Sequence, residues 1–300
     1  MATDNGEEVE EIVIDQDSAV IEIIHKKLAD VPDLTNCVNA ERLVFRRNQI
    51  SEIKNLENCV NVEELDFNDN QIHTIENIGH LTKLIELDLS YNIISNIATL
   101  ENLVNLTHLY FAQNSISEIK GISTLVNLKY LELGANKIRE IENLEKLVNL
   151  EKLFLGKNKI TKIQGLETLS HLRCLDIQAN RIAKLENLES NTELDELYLS
   201  HNGISQIENL DSNLDLSTVD LSHNKIEYLD NLSHLASLSE LWMNDNSIKS
   251  FEELTKIEKL KEIETVYLER NPIYEDTMYR KKIQLYLPNI KQIDATYVRL

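Results

Sequence analysis

Apolar side chains fall in one frame that repeats every 22 residues, and an asparagine marks each repeat: Asn48, Asn70, Asn92, Asn114, Asn136, Asn158, Asn180, Asn202, Asn224 and Asn246. An eleventh, Asn271, follows after 25. The run Leu87-Asp88-Leu89-Ser90-Tyr91-Asn92, continued by Ile94, Ile97, Leu100, Leu103 and Leu106, is typical. Before each Asn the apolar residues alternate, five and three positions ahead of it (Leu109 and Phe111, Leu131 and Leu133). That is the period of a strand with one buried face. After the Asn they recur every third position (Ile138, Ile141, Leu144, Leu147, Leu150). Period three suits 3₁₀-like or irregular turns better than an α-helix. A period of 20–29 residues in this frame predicts an α/β leucine-rich repeat solenoid. It would be right-handed and curved, with a parallel concave β-sheet and a convex side of 3₁₀ or short helical turns. The strand is expected from six to two residues before the Asn. The Asn amide would pair with backbone groups of its own and the neighbouring coil.

A repeat array is one continuous core in which each coil packs on its neighbours. Its ends need covers. Ile21, Ile23, Leu28, Val31 and Leu34 keep the frame one period before Asn48, with Lys26 in the Asn place, so residues 20–41 read as a degenerate capping repeat. Residues 1–19, acidic and without a base, read as a disordered tail. The array proper runs over 42–271. Residues 272–300 read as a C-terminal cap, in which Asp276 starts a helix carrying Tyr279, Ile283, Tyr286 and Leu287 on one face and Pro288 stops it. Asn191 and Asn213 replace the leucine found eleven after most other Asn, and are expected to meet water or backbone there, as a local weak point.

Chemistry is hard to find in this chain. There is no phosphate-cradling glycine loop, His-Glu-x-x-His, Cys-x-x-Cys or nucleophile elbow, so no cofactor and no enzymatic activity are expected. His201, His223 and Asp245 stand one coil apart and could share a metal, but read better as turn residues. Cys37 and Cys59 read as reduced fillers of the leucine layer. The acidic N-terminus, with no long apolar run, predicts neither a secretory signal nor a membrane span.

The informative column lies four residues before each Asn, on the midline of the concave sheet: Val44, Asp66, Asp88, Tyr110, Glu132, Phe154, Asp176, Tyr198, Asp220, Trp242 and Tyr267. Acids and aromatics fill it, and it includes the single Trp of the chain. Outward aromatics in a register that denies them the core mark an interaction site, and Trp and Tyr are common anchors. Glu64, Glu86, Glu196 and Glu240 flank the column six before the Asn, with Asp69 and Asp245 more peripheral. Bases are confined to Arg42, Arg46, Arg47, Lys152, Lys157 and Arg270. At a net charge of −21, such a groove should steer a basic protein surface towards it and repel nucleic acid. Its length of about 50 Å, at ~4.8 Å per strand, suits a folded domain.

The repeats of the form Asn-x-Ile-x-x-Ile-x-x-Leu, the terminal Asn271-Pro272-Ile273 through Leu287-Pro288-Asn289-Ile290, and the midline of acids and aromatics resemble the leucine-rich regulatory subunit of type-1 protein phosphatase. The resemblance spans roughly residues 20–300. It implies a non-catalytic subunit whose concave face grips the phosphatase catalytic subunit, with Asp88, Tyr110, Glu132, Phe154, Asp220, Glu240, Trp242 and Tyr267 as the matching positions. Tyr110 departs conservatively from an expected Phe. Asp66, Asp176 and Tyr198 join the candidate surface from the midline pattern. The resemblance further implies control of phosphatase maturation, metal loading and availability, a nuclear and cytoplasmic location, a connection with mitosis, and a further inhibitor subunit in a ternary complex. Arg42-Leu43-Val44-Phe45 is not a linear phosphatase-docking segment, because its spacing is wrong and Leu43 and Phe45 occupy core positions. The alternative from another class is a ribonucleoprotein scaffold that holds an RNA-binding protein.

Overall fold

The computed structural model describes residues 13–298. Three-residue strands run at Val20–Glu22 (β1), Arg42–Val44 (β2), Glu64–Asp66 (β3), Glu86–Asp88 (β4), His108–Tyr110 (β5) and Tyr130–Glu132 (β6). They continue at Lys152–Phe154 (β7), Cys174–Asp176 (β8), Glu196–Tyr198 (β9), Thr218–Asp220 (β10), Glu240–Trp242 (β11) and Thr265–Tyr267 (β12). Short strands at Gln292–Ile293 (β13) and Thr296–Tyr297 (β14) complete a single sheet in chain order, parallel except for β13–β14. Equivalent residues stand side by side, as Leu65 beside Leu87 and Asp66 beside Asp88. The leucine-rich repeat solenoid read from the periodicity is the fold. Inward residues such as Leu131 and Leu133 are fully buried.

Each strand ends four residues before its Asn, two short of the expected span, and the Asn explains why. A continuing parallel ladder would send the N–H two before an Asn to the carbonyl three before the previous Asn. That carbonyl is taken instead by the side-chain amide. Asn70 Nδ2 donates to the Phe45 carbonyl at 2.8 Å and to its own coil's Phe67 carbonyl at 3.0 Å. Its Oδ1 accepts the Ile50 N–H at 3.1 Å. Asn136 repeats the pattern with Phe111, Leu133 and Ile116. Each amide thus satisfies buried backbone on two coils and releases one N–H towards the concave face.

Two left-handed residues turn every full coil. One directly precedes the Asn (Tyr91, φ 55°; His201, φ 55°). The other lies seven after it, at Asn55, Asn77, Thr99, Gly121, Asn143, Gly165, Asn187, Asn209 and Asn231. This second column escaped the sequence reading. Asn and Gly tolerate positive φ, and the Asn members form another ladder: Asn77 donates to the Ile53 carbonyl at 2.8 Å and Asn187 to Ile163 at 2.7 Å. At Gly121 a Cβ would stand 2.7 Å from the Ile97 carbonyl oxygen.

The convex side consists of linked single turns. Leu81 N–H donates to Ile78 and Leu84 N–H to Leu81, so the three-residue apolar period is the period of the bonds themselves. Continuous 3₁₀ helix is confined, among the described residues, to Phe251–Lys256 and Pro272–Glu275. Asn191 and Asn213 are fully buried and do not open to water. Asn191 Nδ2 donates to the Leu166 and Leu169 carbonyls, and Asn213 Nδ2 to those of Leu188 and Asn191. Their Oδ1 atoms are buried without a partner.

At the C-terminal end, Asp276 Oδ1 accepts the Met278 N–H at 2.7 Å ahead of a helix (α1, Tyr279–Tyr286) that buries Tyr279 and Ile283. The acidic tail expected over residues 1–19 lies outside the described residues as far as residue 12. From 13 onward the chain makes a turn in which Ser18 N–H donates to Asp15, and Ile14 packs on the core. No helix among the described residues is long and apolar enough to cross a membrane.

Two stability predictions follow from the ladders. Thr99 is β-branched at φ 58° while its Oγ1 makes the ladder bond to Ile75 at 2.8 Å. Thr99→Asn keeps that bond in a side chain suited to the backbone, and should raise unfolding free energy by about 1 kcal/mol in a denaturant melt. The double variant Asn191→Leu, Asn213→Leu removes two unmet acceptors, each costing ~1–3 kcal/mol, along with bonds to carbonyls that also accept backbone N–H groups. It should melt no lower than the parent. A fall of several degrees would show that the amide bonds outweigh the orphaned oxygens.

Candidate partner-binding face

The released N–H groups organise the concave midline. Where the residue four before the Asn is acidic, its carboxylate caps the N–H two positions on. Asp66 takes Asn68 N–H at 2.9 Å, Asp88 takes Ser90 at 2.8 Å and Glu132 takes Gly134 at 2.6 Å. Asp176 takes Gln178 at 2.8 Å and Asp220 takes Ser222 at 2.9 Å. Acid and aromatic rungs alternate from Asp88 to Trp242. On the aromatic rungs of Tyr110, Phe154, Tyr198 and Trp242 the equivalent N–H groups of Ala112, Gly156, Ser200 and Asn244 have no protein partner among the described residues. The midline acids therefore have a structural duty that the sequence reading did not assign.

Their second oxygens differ. Asp66 pairs with Arg46 and is buried, so it offers little to a partner. Asp88 Oδ2 accepts from Asn68, and Asp176 Oδ2 from Gln178. Glu132 and Asp220 each keep one oxygen without a hydrogen bond among the described residues. Val44 and Asp220, assigned to the outward column, are buried as well. The concave side of a curved sheet crowds its side chains, and most of the midline is half-buried for that reason.

The aromatics are not isolated in water as the register alone suggested. Tyr110 and Tyr130 have ring centroids 5.0 Å apart, and Tyr130 and Phe154 are equally close. His108 stacks beside them, 5.9 Å from Tyr130. Tyr130 and His108, in the column six before the Asn, were missed because only the midline was read for aromatics; the signal was present at the same spacing. Trp242 and Tyr267 form a second cluster, 5.4 Å apart. Between the clusters, Tyr198 donates its hydroxyl to Glu196 at 2.9 Å.

Burial with little compensating positive charge shifts the acids upward. Desolvation holds Glu132 up to about 7, against the Gly134 N–H, with Asp176 and Asp88 adding to the rise. Asp66 is raised to about 6, chiefly by burial, with the Asn68 N–H and Arg46 opposing. Asp176 and Glu86 are raised for the same first reason. Two of the bases at the ends are engaged: Arg42 joins Glu22 at 2.5 Å and Glu64 at 2.8 Å, and Arg270 forks onto Asp245 with two 2.6 Å bonds. Lys152 and Lys157 make no ion pair among the described residues. Cys174, half-way along, is buried, and its thiol is pushed up to about 12 by desolvation.

His201 and His223 stack at 3.9 Å, and His223 Nε2 lies 3.2 Å from an Asp245 carboxylate already held by Arg270. No group of three His, Cys, Asp or Glu among the described residues is arranged to hold a metal. Cys37 and Cys59 are free thiols.

Comparison with known proteins places the chain. A family model of leucine-rich repeats, two copies each, matches residues 60–102, 104–146 and 148–190. The internalin C2 of Listeria monocytogenes is 34% identical, with a TM-score of 0.55 over 57% of this chain and 75% of that one. Another internalin of that organism, inlF, superposes with a TM-score of 0.77 over 93% of this chain and 87% of that one, at 24% identity, and so speaks for the fold alone. The chain carries leucine-rich repeats and has the leucine-rich repeat fold. Within it, a stretch of 39 residues is 62% identical to protein phosphatase 1 regulatory subunit 7 of Mus musculus, covering 13% of this chain and 11% of that protein. A 43-residue stretch is 51% identical to the protein phosphatase 1 regulatory subunit SDS22 homolog of Caenorhabditis elegans, covering 14% and 13%. The chain thus resembles the leucine-rich regulatory subunits of type-1 protein phosphatase, and spans about one tenth of the length of the curated relatives in these matches.

The raised carboxyl of Glu132 sets a pH dependence. A carboxyl whose folded value lies above its ordinary 4.5 stabilises the fold below that value, and the contribution disappears as pH rises through about 7. Glu132→Gln keeps an oxygen for the Gly134 N–H and removes the titration. Its melting temperature should match the parent near pH 4.5 and exceed it increasingly up to pH 8. A constant offset across that range would exclude Glu132 as the titrating group.

Proposed function

We propose that this protein is a non-catalytic regulatory subunit that binds the catalytic subunit of a type-1 protein phosphatase across its concave face. The observation that carries the reading is the midline itself. Two aromatic clusters, Tyr110–Tyr130–Phe154 with Glu132 set inside it and Trp242–Tyr267, are separated by acid rungs at Asp176 and Asp220 on one continuous sheet. Aromatic anchors supply affinity when a partner desolvates them. Carboxylates between them select a basic surface and speed its approach. The names of the curated relatives support the identity of the partner. The chemistry of the groove supports its manner of binding: Asp88, Glu132 and Glu240 receive cations, with the Asp220 side chain buried on the strand next to Glu240, while Tyr110, Phe154, Trp242 and Tyr267 are covered.

The same reading extends to control of phosphatase maturation, metal loading and availability in nucleus and cytoplasm. A concave face fully occupied by the phosphatase leaves the convex side for an inhibitor subunit in a ternary complex.

Calorimetry with the purified phosphatase catalytic subunit tests the reading. Phe154→Ala should weaken binding by ~2 kcal/mol or more, about 30-fold, with a melt close to the parent because its ring contact is to Tyr130 on the surface. Glu240→Lys should slow association and flatten its salt dependence. No binding by the parent protein, with an RNA-binding protein recovered from lysate in its place, would overturn the assignment in favour of a ribonucleoprotein scaffold.

A further inference from the structure

From Asn48 to Asn246 the residue after the ladder Asn is glycine only at 203; elsewhere it carries a side chain, as in Gln71, Lys159 and Lys225. No backbone requirement explains the exception. Gly203 N–H donates to the Ile182 carbonyl at 2.7 Å, just as Arg181 and Lys225 donate to Ile160 and Ile204 at 2.8 Å. Its φ lies outside the left-handed region. A Cβ added there would meet nothing closer than the Ile182 carbonyl oxygen at 3.4 Å, an ordinary contact. Asn-Gly occurs nowhere else among the described residues.

An asparagine followed by glycine is chemically exposed, because without a Cβ the next backbone nitrogen can approach the side-chain carbonyl carbon. In the closed coil one residue restrains both reacting groups. Asn202 Oδ1 accepts the Ile182 N–H at 2.9 Å, and Gly203 N–H is committed to the Ile182 carbonyl. Asn202 Nδ2 donates to the Ile177 and Leu199 carbonyls, each at 3.0 Å. While these bonds stand, the amide cannot turn to the Gly203 nitrogen, and that nitrogen cannot give up its proton. Two buried faults flank the junction. Asn191 on the preceding coil and Asn213 on the same coil each bury an oxygen without a partner, a cost that opening would relieve. Asn202 is also less buried than Asn70 or Asn136.

We propose that Asn202–Gly203 is a latent modification site, inert in the closed coil and committed irreversibly to deamidation when that coil opens. On opening, the Gly203 nitrogen loses its proton to solvent and bonds to Asn202 Cγ. The Cγ–Nδ2 bond breaks and the amide leaves as ammonia, closing a five-membered imide. Water then adds to either imide carbonyl and yields aspartate, or isoaspartate with the main chain rerouted through Cβ. One water enters and one ammonia departs. Neither product can reclose the coil as before, because a carboxylate has no hydrogen for the Ile177 and Leu199 carbonyls. The junction thus records each opening of one coil and then holds that coil open.

Ageing the full-length protein at mildly alkaline pH, followed by peptide mapping, tests the proposal. Asn202 should convert ahead of every other ladder Asn, and at least about tenfold more slowly in the folded protein than in denaturant. Small additions of urea below the unfolding transition should leave the folded-state rate nearly unchanged, as expected when one coil opens and little surface is exposed. Gly203→Ala should lose the conversion and keep the parent melt. Asn202→Asp, which mimics one product, should melt several degrees lower. Earlier conversion of another ladder Asn overturns the site, as does an Asn202 that stays intact in the folded protein. Equal rates in folded and denatured protein overturn the protection by Ile182. A rate that climbs with the globally unfolded fraction overturns the local opening, and a parent-like melt of Asn202→Asp overturns the commitment.

Discussion

Every coil of this protein depends on one side-chain amide intercepting one backbone carbonyl. The Asn at the end of each strand takes the carbonyl that a parallel ladder would have used two residues on. That substitution stops the strand after three residues and lets the chain turn through a left-handed residue just before the Asn. It also returns buried Oδ1 and Nδ2 bonds on two adjacent coils, so the register of one coil is set by the next. An amide can do this because it offers two donor hydrogens and an acceptor oxygen at once, whereas a carboxylate has no donor hydrogen and a hydroxyl only one. A carboxylate or a hydroxyl could not replace it in the same geometry.

The surface chemistry descends from that interception. The N–H set free by each Asn points to the concave face and has to be met there. Acid rungs meet it within the chain, and in doing so fix one carboxylate oxygen against the sheet. The aromatic rungs from Tyr110 to Trp242 leave it open among the described residues, whereas on the Tyr267 rung Asp294 Oδ1 accepts the Glu269 N–H. The alternation is thus a structural solution and a recognition pattern in one. It accounts for carboxyl groups held well above their ordinary range, because backbone capping fixes them close to the sheet where Tyr110, Tyr130 and Phe154 crowd out water around Glu132. A cation from a partner would restore the ionised form and fill that gap.

What was legible in the sequence was whatever repeats. Period-two and period-three apolar spacing around Asn48 to Asn246 determined the fold, the inward residues and the set of side chains on the concave column, because a 22-residue register leaves no freedom over which face a residue takes. The left-handed Asn and Gly column seven after each Asn was equally present in the letters, and was overlooked because turn chemistry hides among polar residues. Tertiary structure alone decided how neighbours on that column treat one another. Burial of Val44 and Asp66, the Arg46–Asp66 and Arg270–Asp245 pairs, the bridging of Tyr110 and Phe154 by Tyr130, and the closed-off Trp242 N–H all depend on sheet curvature and rotamers. Periodicity assigns a side chain to a face; only the packed coils determine whether that face leaves it water, a partner or neither.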